Sequence, residues 1–392
     1  MSHAPLTMRY GRDEAYAVEL AGPDGAGTAA RLAALIEGRR ALICTTPTVF
    51  HRHRDLFDAL WTARGGADEI AVLKVGESRK DMDSVIDICR RAQAAGIGRR
   101  DLLVAISGGV CSDLVRTAAG LIRRGIGHIC VPTTLIGQID AGIGIKGGVN
   151  FEGSKSYLGV FRAPEAVLID PAFLATVSRA SLEDGMAEIV KLATVLDKDL
   201  FELVEEVGPA LIASNWTDPA ATGLEVLRRS IELTLTELAD DPLELGTLRR
   251  TLDFGHTFSP MIEAASGYAI SHGRAVAIDI CISAAVAVAL GRLPAVTAER
   301  IVQAIAAAGL PVDSVHVDTA LLGAGLEAAA KHRGGRPNLV IPVGIGACDF
   351  VCDRALLPDT LLVRALRILR DINCAPATPL HPAAEHKVCH QC

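Results

Sequence analysis

Leu102-Leu-Val-Ala-Ile-Ser-Gly-Gly-Val-Cys-Ser-Asp113 is the stretch that decides the fold. Its unbroken apolar start, without polar alternation, reads as a strand buried on both faces. The glycine pair at the carboxyl end lets backbone N–H groups come close to a pyrophosphate, and the helix expected next offers its positive N-terminus. A dinucleotide suits such a corner. The motif is not the full G-x-G-x-x-G fingerprint, so a plain tight turn is the other reading of the same residues.

Three further runs repeat the pattern: Arg40-Ala-Leu-Ile-Cys-Thr-Thr46, Glu69-Ile-Ala-Val-Leu-Lys-Val-Gly76 and His128-Ile-Cys-Val-Pro-Thr-Thr134. Helix-period segments separate them. Apolar strands alternating with helices predict a parallel sheet covered on both faces. From about Ser181 the text changes to long Ala/Leu/Glu-rich runs, Leu182 to Val207 and Gly223 to Ala239, with a loop expected over Pro209 to Thr222. The second half is therefore predicted to be mainly α-helical. The expected division is an α/β domain over 1–175, a helical domain over 176–374 and a flexible tail over 375–392.

A chain of 392 residues, 50% hydrophobic and 22% charged, can bury a large core and is long enough for two domains. Its net charge of -7 argues against a nucleic-acid partner, which would call for a basic face. The longest apolar stretch, Ala275 to Leu290, is broken by Asp279 and is shorter than the roughly 20 residues of a membrane span, so it reads as a buried helix. No apolar signal segment opens the sequence, and most of the ten cysteines stand singly in apolar surroundings. Reduced thiols and a cytoplasmic location are expected. Cys389-His-Gln-Cys392 has metal-like spacing, but a single pair at a chain end reads as tail.

Three groups of residues carry the chemistry. Near the glycine pair, Glu77 in Gly76-Glu-Ser-Arg-Lys80 can take ribose hydroxyls and Lys80 a phosphate; a solvated helix start is the plainer reading. The stretch Val131-Pro-Thr-Thr-Leu-Ile-Gly-Gln-Ile-Asp-Ala-Gly-Ile-Gly-Ile-Lys-Gly-Gly-Val-Asn150 is too polar and glycine-rich for ordinary core. Its Lys146, with Lys155 and Arg124, supplies cations for a phosphorylated substrate, and Asp140 can accept from sugar hydroxyls. The third group is Glu188 and Lys191, three apart on one helix, with His256 and His272, each beside a glycine. One glutamate and two histidines with open positions suit Zn²⁺ or a similar ion.

Taken in order, Gly-Gly-Val-x-x-Asp, Pro-Thr-Thr-Leu-x-x-x-x-Asp, Lys-x-x-x-Asn, Glu-x-x-Lys, Gly-His-Thr-Phe and His-Gly resemble the dehydroquinate synthase superfamily of sugar phosphate cyclases, over about Glu77 to Val340. The resemblance implies a Rossmann-like domain holding NAD, a helical domain holding Zn²⁺ or Co²⁺, and an active site between them in a homodimer. It implies Glu188, His256 and His272 as metal ligands. It puts Glu77, Lys80, Gly108, Gly109, Asp113, Thr133, Thr134, Asp140, Lys155 and Thr176 around NAD. Catalytic roles fall to Asp140, Lys146, Lys191, Arg249 and Lys331. Arg124, Asn150, Lys155, Ser156 and Asp253 contact substrate, Arg124 across the dimer interface.

Departures from dehydroquinate synthase itself point to a particular branch. Asp253 replaces an asparagine, Pro260 replaces a second histidine, and a lysine that binds the substrate carboxylate is missing around Thr234. Losing that cation fits a substrate without a carboxylate. The pattern is similar to the sedoheptulose 7-phosphate cyclases, especially those forming 2-epi-5-epi-valiolone. The reaction implied is transient oxidation by NAD, phosphate elimination, re-reduction, ring opening and an intramolecular aldol. Ser156 stands where asparagine is usual, in the phosphate pocket, and Arg274 where glutamate is usual, in the metal's surroundings. Related cyclases giving 2-epi-valiolone or desmethyl-4-deoxygadusol, or 3-dehydroquinate synthase, share most motifs. A metal-dependent polyol dehydrogenase and a catalytically silent binding module are the remaining readings.

Overall fold

The computed structural model describes residues 15–21, 27–66, 68–246 and 248–374. Its strands are β1 (Ala17–Leu20), β2 (Ala41–Thr45), β3 (Glu69–Val72), β4 (Leu102–Ser107) and β5 (Gly127–Pro132), then β6 (Lys146–Phe151), β7 (Ser154–Phe161), β8 (Ala166–Ile169), β9 (Leu339–Gly344) and β10 (Ala347–Val351). Helices α1 (Thr28–Leu35), α2 (Pro47–Arg52), α3 (Arg54–Ala63), α4 (Met82–Ala94) and α5 (Gly109–Leu121) alternate with the early strands. Helices α6 (Arg179–Leu196), α7 (Lys198–Ala213), α8 (Ala220–Asp240), α9 (Ser259–Ala265) and α10 (His272–Ala289) follow. The last are α11 (Ala295–Ala307), α12 (Thr319–His332) and α13 (Asp359–Cys374).

The sheet runs β1-β8-β5-β4-β2-β3 with every neighbouring pair parallel, so the expected α/β first half is present. All six residues of β4 are buried, Val104 lying between Ile43 of β2 and Ile129 of β5. Apolar clusters cover both faces of the sheet, as a continuous hydrophobic strand requires. From β2 the chain crosses to β3 on one side and then back to β4 on the other. Ligands bind outside the carboxyl ends of strands at such a reversal. Ser107, Gly108 and Gly109 sit there.

Beyond β8 a turn over Pro171–Thr176 leads into the helices, which share one large core built around α10. Among the described residues α10 alone is long and apolar enough to cross a membrane, and 83% of it is buried inside the fold. It is the central core helix, as its composition predicted.

Several elements differ from expectation. The run from Leu182 to Val207 divides at Asp197, whose carboxylate caps α7 by accepting from Leu200 N at 3.0 Å. Pro209 lies inside α7 rather than in a loop. It removes one helical N–H, but Leu211 and Ile212 beyond it are buried in the core and carry the helix on. Strands β1 and β8 are only four residues each, too short to stand out. The β6–β7 hairpin is glycine-rich because it lies hard against α5; a Cβ on Gly147 would meet the Thr117 amide nitrogen at 3.0 Å. The antiparallel β9–β10 hairpin adds strand structure to the otherwise helical half.

One buried cation ties the first half together. Arg116 on α5 is 0% exposed and donates to the carbonyls of Ala141 (3.1 Å), Lys146 (2.6 Å) and Gly142 (3.2 Å). Its counter-ion Asp113 lies at 3.5 Å and also pairs with Lys80 at 2.6 Å. Replacing Arg116 by methionine leaves three carbonyls without their donor and Asp113 with Lys80 as its one remaining cation, so a loss of about 3–5 kcal/mol in chemical denaturation is expected. Arg116→Lys does not restore it, because an ammonium lacks the planar fork. Gly273→Ala is expected to cost about 1–3 kcal/mol by the same measurement. Its Cβ would lie 2.4 Å from the Asp184 carbonyl oxygen where α10 crosses α6.

Candidate active site

A cleft of about 630 Å³ opens between the two halves, with Asp113, Asp140, Lys146, Lys191, Asp253 and His256 among its walls. It lies outside the carboxyl end of the sheet, where β5 runs into the turn Gly137–Ala141 and then into β6.

The donor cluster at the cleft's inner end is built by three elements. Glu188 and Lys191 share one face of α6, three residues apart. His256 follows Gly255, whose φ of +73° suits a residue without a side chain. His272 opens α10, brought against α6 by the close approach at Gly273. One donor atom from each of Glu188, His256 and His272 lies within 4.8 Å of the others. Glu188 Oε1 is 3.7 Å from His256 Nε2 and 3.5 Å from His272 Nε2. Ligand atoms roughly 3.3–3.6 Å apart are what a tetrahedral Zn²⁺ gathers.

Hydrogen bonds on the far side of each ring fix which nitrogen points inward. His256 Nδ1 is 3.0 Å from the Phe254 carbonyl and His272 Nδ1 is 2.9 Å from Glu263 Oε1. Both partners are acceptors, so Nδ1 donates and Nε2 is the nitrogen turned inward, its lone pair open to an ion that displaces any proton there. Neither oxygen of buried Glu188 accepts a well-aligned hydrogen bond, and Lys191 Nζ lies 2.5 Å away. A buried carboxylate so placed, beside two inward lone pairs, fits a divalent cation. Burial and Lys191 push His256 down to about 4. Burial also opposes charge on His272, but Glu188 and Glu263 outweigh it and raise this histidine to about 9. Burial raises the Asp140 carboxyl, with Lys191 opposing and Glu188 adding to it. Two carboxylates against one ammonium thus leave one negative charge where the cation would sit.

Several of the residues expected around a dinucleotide lie near one another. Gly108 and Gly109 stand at the start of α5, and a Cβ on Gly108 would meet Thr134 Cγ2 at 3.1 Å. Thr133 is buried at the end of β5. Glu77 accepts from Asn150 Nδ2 at 2.9 Å, while Asn150 Oδ1 accepts from Ser156 N at 2.9 Å. The hairpin is thereby pinned to the loop after β3. Thr176 lies apart, bonded to His53 Nε2 at 3.0 Å and, through its carbonyl, to Arg52.

The cations of the cleft are not all the expected ones. Arg249 and Lys331 are exposed and do not line it; their neighbours do the reaching. Asp253 accepts from Arg250 Nη2 at 2.9 Å and forms an ion pair with Arg333, whose Nε lies 3.1 Å away. Arg250 also pairs with Glu244, which pairs in turn with Lys146. Lys155 faces Glu263 at 2.8 Å, outside the cleft wall. Arg124 is exposed at the far end of α5 from the glycine pair.

The departures also find places. Pro260 falls in the first turn of α9, where a missing N–H costs nothing. Thr234 is 1% exposed, its hydroxyl without a hydrogen-bond partner. Arg274 turns away from the donor cluster to Glu183 at 2.9 Å, so the carboxylate behind His272 comes from Glu263 instead. Sequence reading missed Arg116, Glu244, Arg250, Glu263 and Arg333. The doublet Arg249-Arg250 was the one visible signal. Cys389 and Cys392 lie outside the described residues.

Comparison with known proteins agrees with this geometry. Residues 70–184 match the 3-dehydroquinate synthase N-terminal model and residues 185–327 the C-terminal one. The chain is 39% identical over 341 residues to a 2-epi-5-epi-valiolone synthase of Streptomyces glaucescens, covering 86% of this chain and 87% of that one. It is 35% identical over 315 residues to a 3-dehydroquinate synthase of Sulfurovum sp., covering 80% and 87%. A solved 2-epi-5-epi-valiolone synthase from Streptomyces hygroscopicus subsp. jinggangensis 5008, with NAD⁺ and Zn²⁺ bound, superposes with a TM-score of 0.86 at 35% identity, covering 93% of this chain and 99% of that one. With the donor cluster inside one matched segment and the glycine corner inside the other, the chain belongs to the dehydroquinate synthase family of sugar phosphate cyclases.

Proposed function

We propose that this chain cyclises sedoheptulose 7-phosphate to 2-epi-5-epi-valiolone with release of phosphate, using NAD and a divalent ion, Zn²⁺ or Co²⁺. The charge balance of the cleft supports it most directly. Among the described residues at the outer end of the cleft, Lys146 and Arg250 are the cations that line it, facing Glu244 and Asp253. These two cations can meet one phosphate and leave none at this end for a second anion such as a substrate carboxylate. Pro260 and Thr234 add no cation.

Glu188, His256 and His272 would hold the ion, and the corner at Gly108 and Gly109 the dinucleotide. When bound, the ion supplies Lewis acidity toward a substrate hydroxyl and NAD supplies reversible hydride acceptance, so no net redox change results. The residues of the chain do the remaining work. Asp140 faces the cleft and accepts from a sugar hydroxyl, orienting the ring. Lys191 is buried, kept protonated by Glu188 and Asp140 against the effect of burial, and donates to an oxygen that gains negative charge. Lys146 and Arg250 hold the phosphate until it leaves.

A homodimer in the cytoplasm fits this reading. Phe151, Tyr157 and Phe161 are 42%, 69% and 47% exposed on the hairpin, an apolar face suited to a second copy, and Arg124 would serve that copy's site. The eight described cysteines are unpaired.

Incubation with sedoheptulose 7-phosphate, NAD⁺ and Zn²⁺ should give a cyclitol identified by NMR, with stoichiometric phosphate and no lasting NADH absorbance. Accumulating NADH, or preference for a carboxylated heptulose phosphate, would overturn the assignment. Lys191→Met should lower kcat/KM by on the order of 10²–10³-fold. Chelation should abolish turnover, and Zn²⁺ or Co²⁺ should restore it.

A further inference from the structure

Lys155 belongs to β7, in the hairpin packed on α5, whereas Glu263 belongs to α9 in the helical half. Lys155 Nζ donates to Glu263 Oε2 at 2.8 Å, and the other oxygen, Oε1, takes His272 Nδ1 at 2.9 Å. His272 Nε2 in turn faces Glu188 Oε1 at 3.5 Å. Polar contacts therefore run unbroken from the hairpin to the donor cluster. Glu263 is 5% exposed, so each of its oxygens depends on the partner it has.

Helix α9 is held independently of this chain of contacts. Asp279 of α10 accepts from Phe258 N at 2.5 Å and Ser259 N at 2.9 Å, fixing its first turn. What Lys155 governs is then the Glu263 side chain, not the backbone that carries it. An ammonium on Oε2 holds the carboxylate in the one orientation that keeps Oε1 on the imidazole. Without it, a buried carboxylate is left with a single partner and turns toward solvent, releasing the ring.

We propose that Glu263 is a positioning residue for the metal ligand His272 and that Lys155 acts through it, so that docking of the β6–β7 hairpin and metal binding favour one another. The proposal rests on the metal assignment made above. Linkage makes the effect reciprocal: whatever the docked hairpin adds to metal affinity, bound metal adds to hairpin docking. The hairpin also carries Lys146, Asn150 and Ser156, so metal occupancy would set the order of the substrate end of the cleft. Lys155, expected on cofactor or substrate, gains a different role.

The test is Co²⁺ binding, followed by visible absorbance and chelator competition without NAD or substrate. The proteins are the full chain and its Glu263→Gln, Glu263→Ala, Lys155→Met and Lys155→Arg variants. Both Glu263 variants should weaken Co²⁺ by about 10–100-fold. Lys155→Met should weaken it in the same direction by a smaller factor, and Lys155→Arg should recover most of the loss. In hydrogen exchange, Co²⁺ should slow the amides of 146–161 in the parent chain and not in Glu263→Ala. Parent-like Co²⁺ affinity in Glu263→Ala and Lys155→Met, or hairpin exchange indifferent to Co²⁺, overturns the proposal while leaving the metal site standing. Failure of the parent chain to bind Co²⁺ overturns the metal site and this inference together. Lys155 is partly exposed, so its variants remain informative if a Glu263 variant folds poorly.

Discussion

A guanidinium with no access to water calls for acceptors, and the two terminal nitrogens of Arg116 find theirs by gathering the backbone of the cleft around them, only Nε being left without one. Its donors take the carbonyls of Ala141, Gly142 and Lys146, which fixes the path from β5 into the hairpin. Its charge is balanced by Asp113, and Asp113 draws in Lys80 from the neighbouring loop. Dinucleotide corner, glycine-rich turn and hairpin are thus positioned by one residue that touches none of the expected ligands. The cost of burying such a charge is met only while all its partners stay in place. The wall of the cleft is correspondingly stiff.

What the sequence disclosed follows from how local the chemistry is. Glu188 and Lys191 are a helical i, i+3 pair, and His256 and His272 each adjoin a glycine with a backbone reason to be there. Gly255 has positive φ and Gly273 admits no Cβ. Such constraints leave short motifs. The strands β2, β4 and β5 were visible because burial on both faces makes them largely apolar, whereas β3, at the sheet edge, is only partly buried. Side chains that reach the site from elsewhere leave no motif. Arg250 and Arg333 are ordinary arginines beside Arg249 and Lys331, and only the turn before Asp253 and the end of α12 decide which of each pair faces inward. Glu263 is likewise invisible until α9 is packed on α10. The hairpin's glycines looked like loop because their reason, contact with α5, lies outside the hairpin.

The cleft carries two separate charge balances. At the inner end Glu188 and Asp140 exceed Lys191 by one negative charge, which a divalent ion reverses. At the outer end Lys146 and Arg250 offset Glu244 and Asp253 and are the cations open to a phosphate. A substrate with hydroxyls at one end and a phosphate at the other meets complementary surroundings at both.

The close crossing of α6 and α10 at Gly273 has a consequence for how the protein meets metal in the cell. Glu188 and His272 come from helices in the middle of the largest core, so the donors converge before any ion arrives. Binding then reorganises little of the helical core, in contrast to small domains that collapse only around zinc. Such a rigid tripod with open positions sets geometry but ranks similar ions weakly, and cellular supply decides which one resides there. The stability of the chain and the identity of its metal are, on this construction, independent variables.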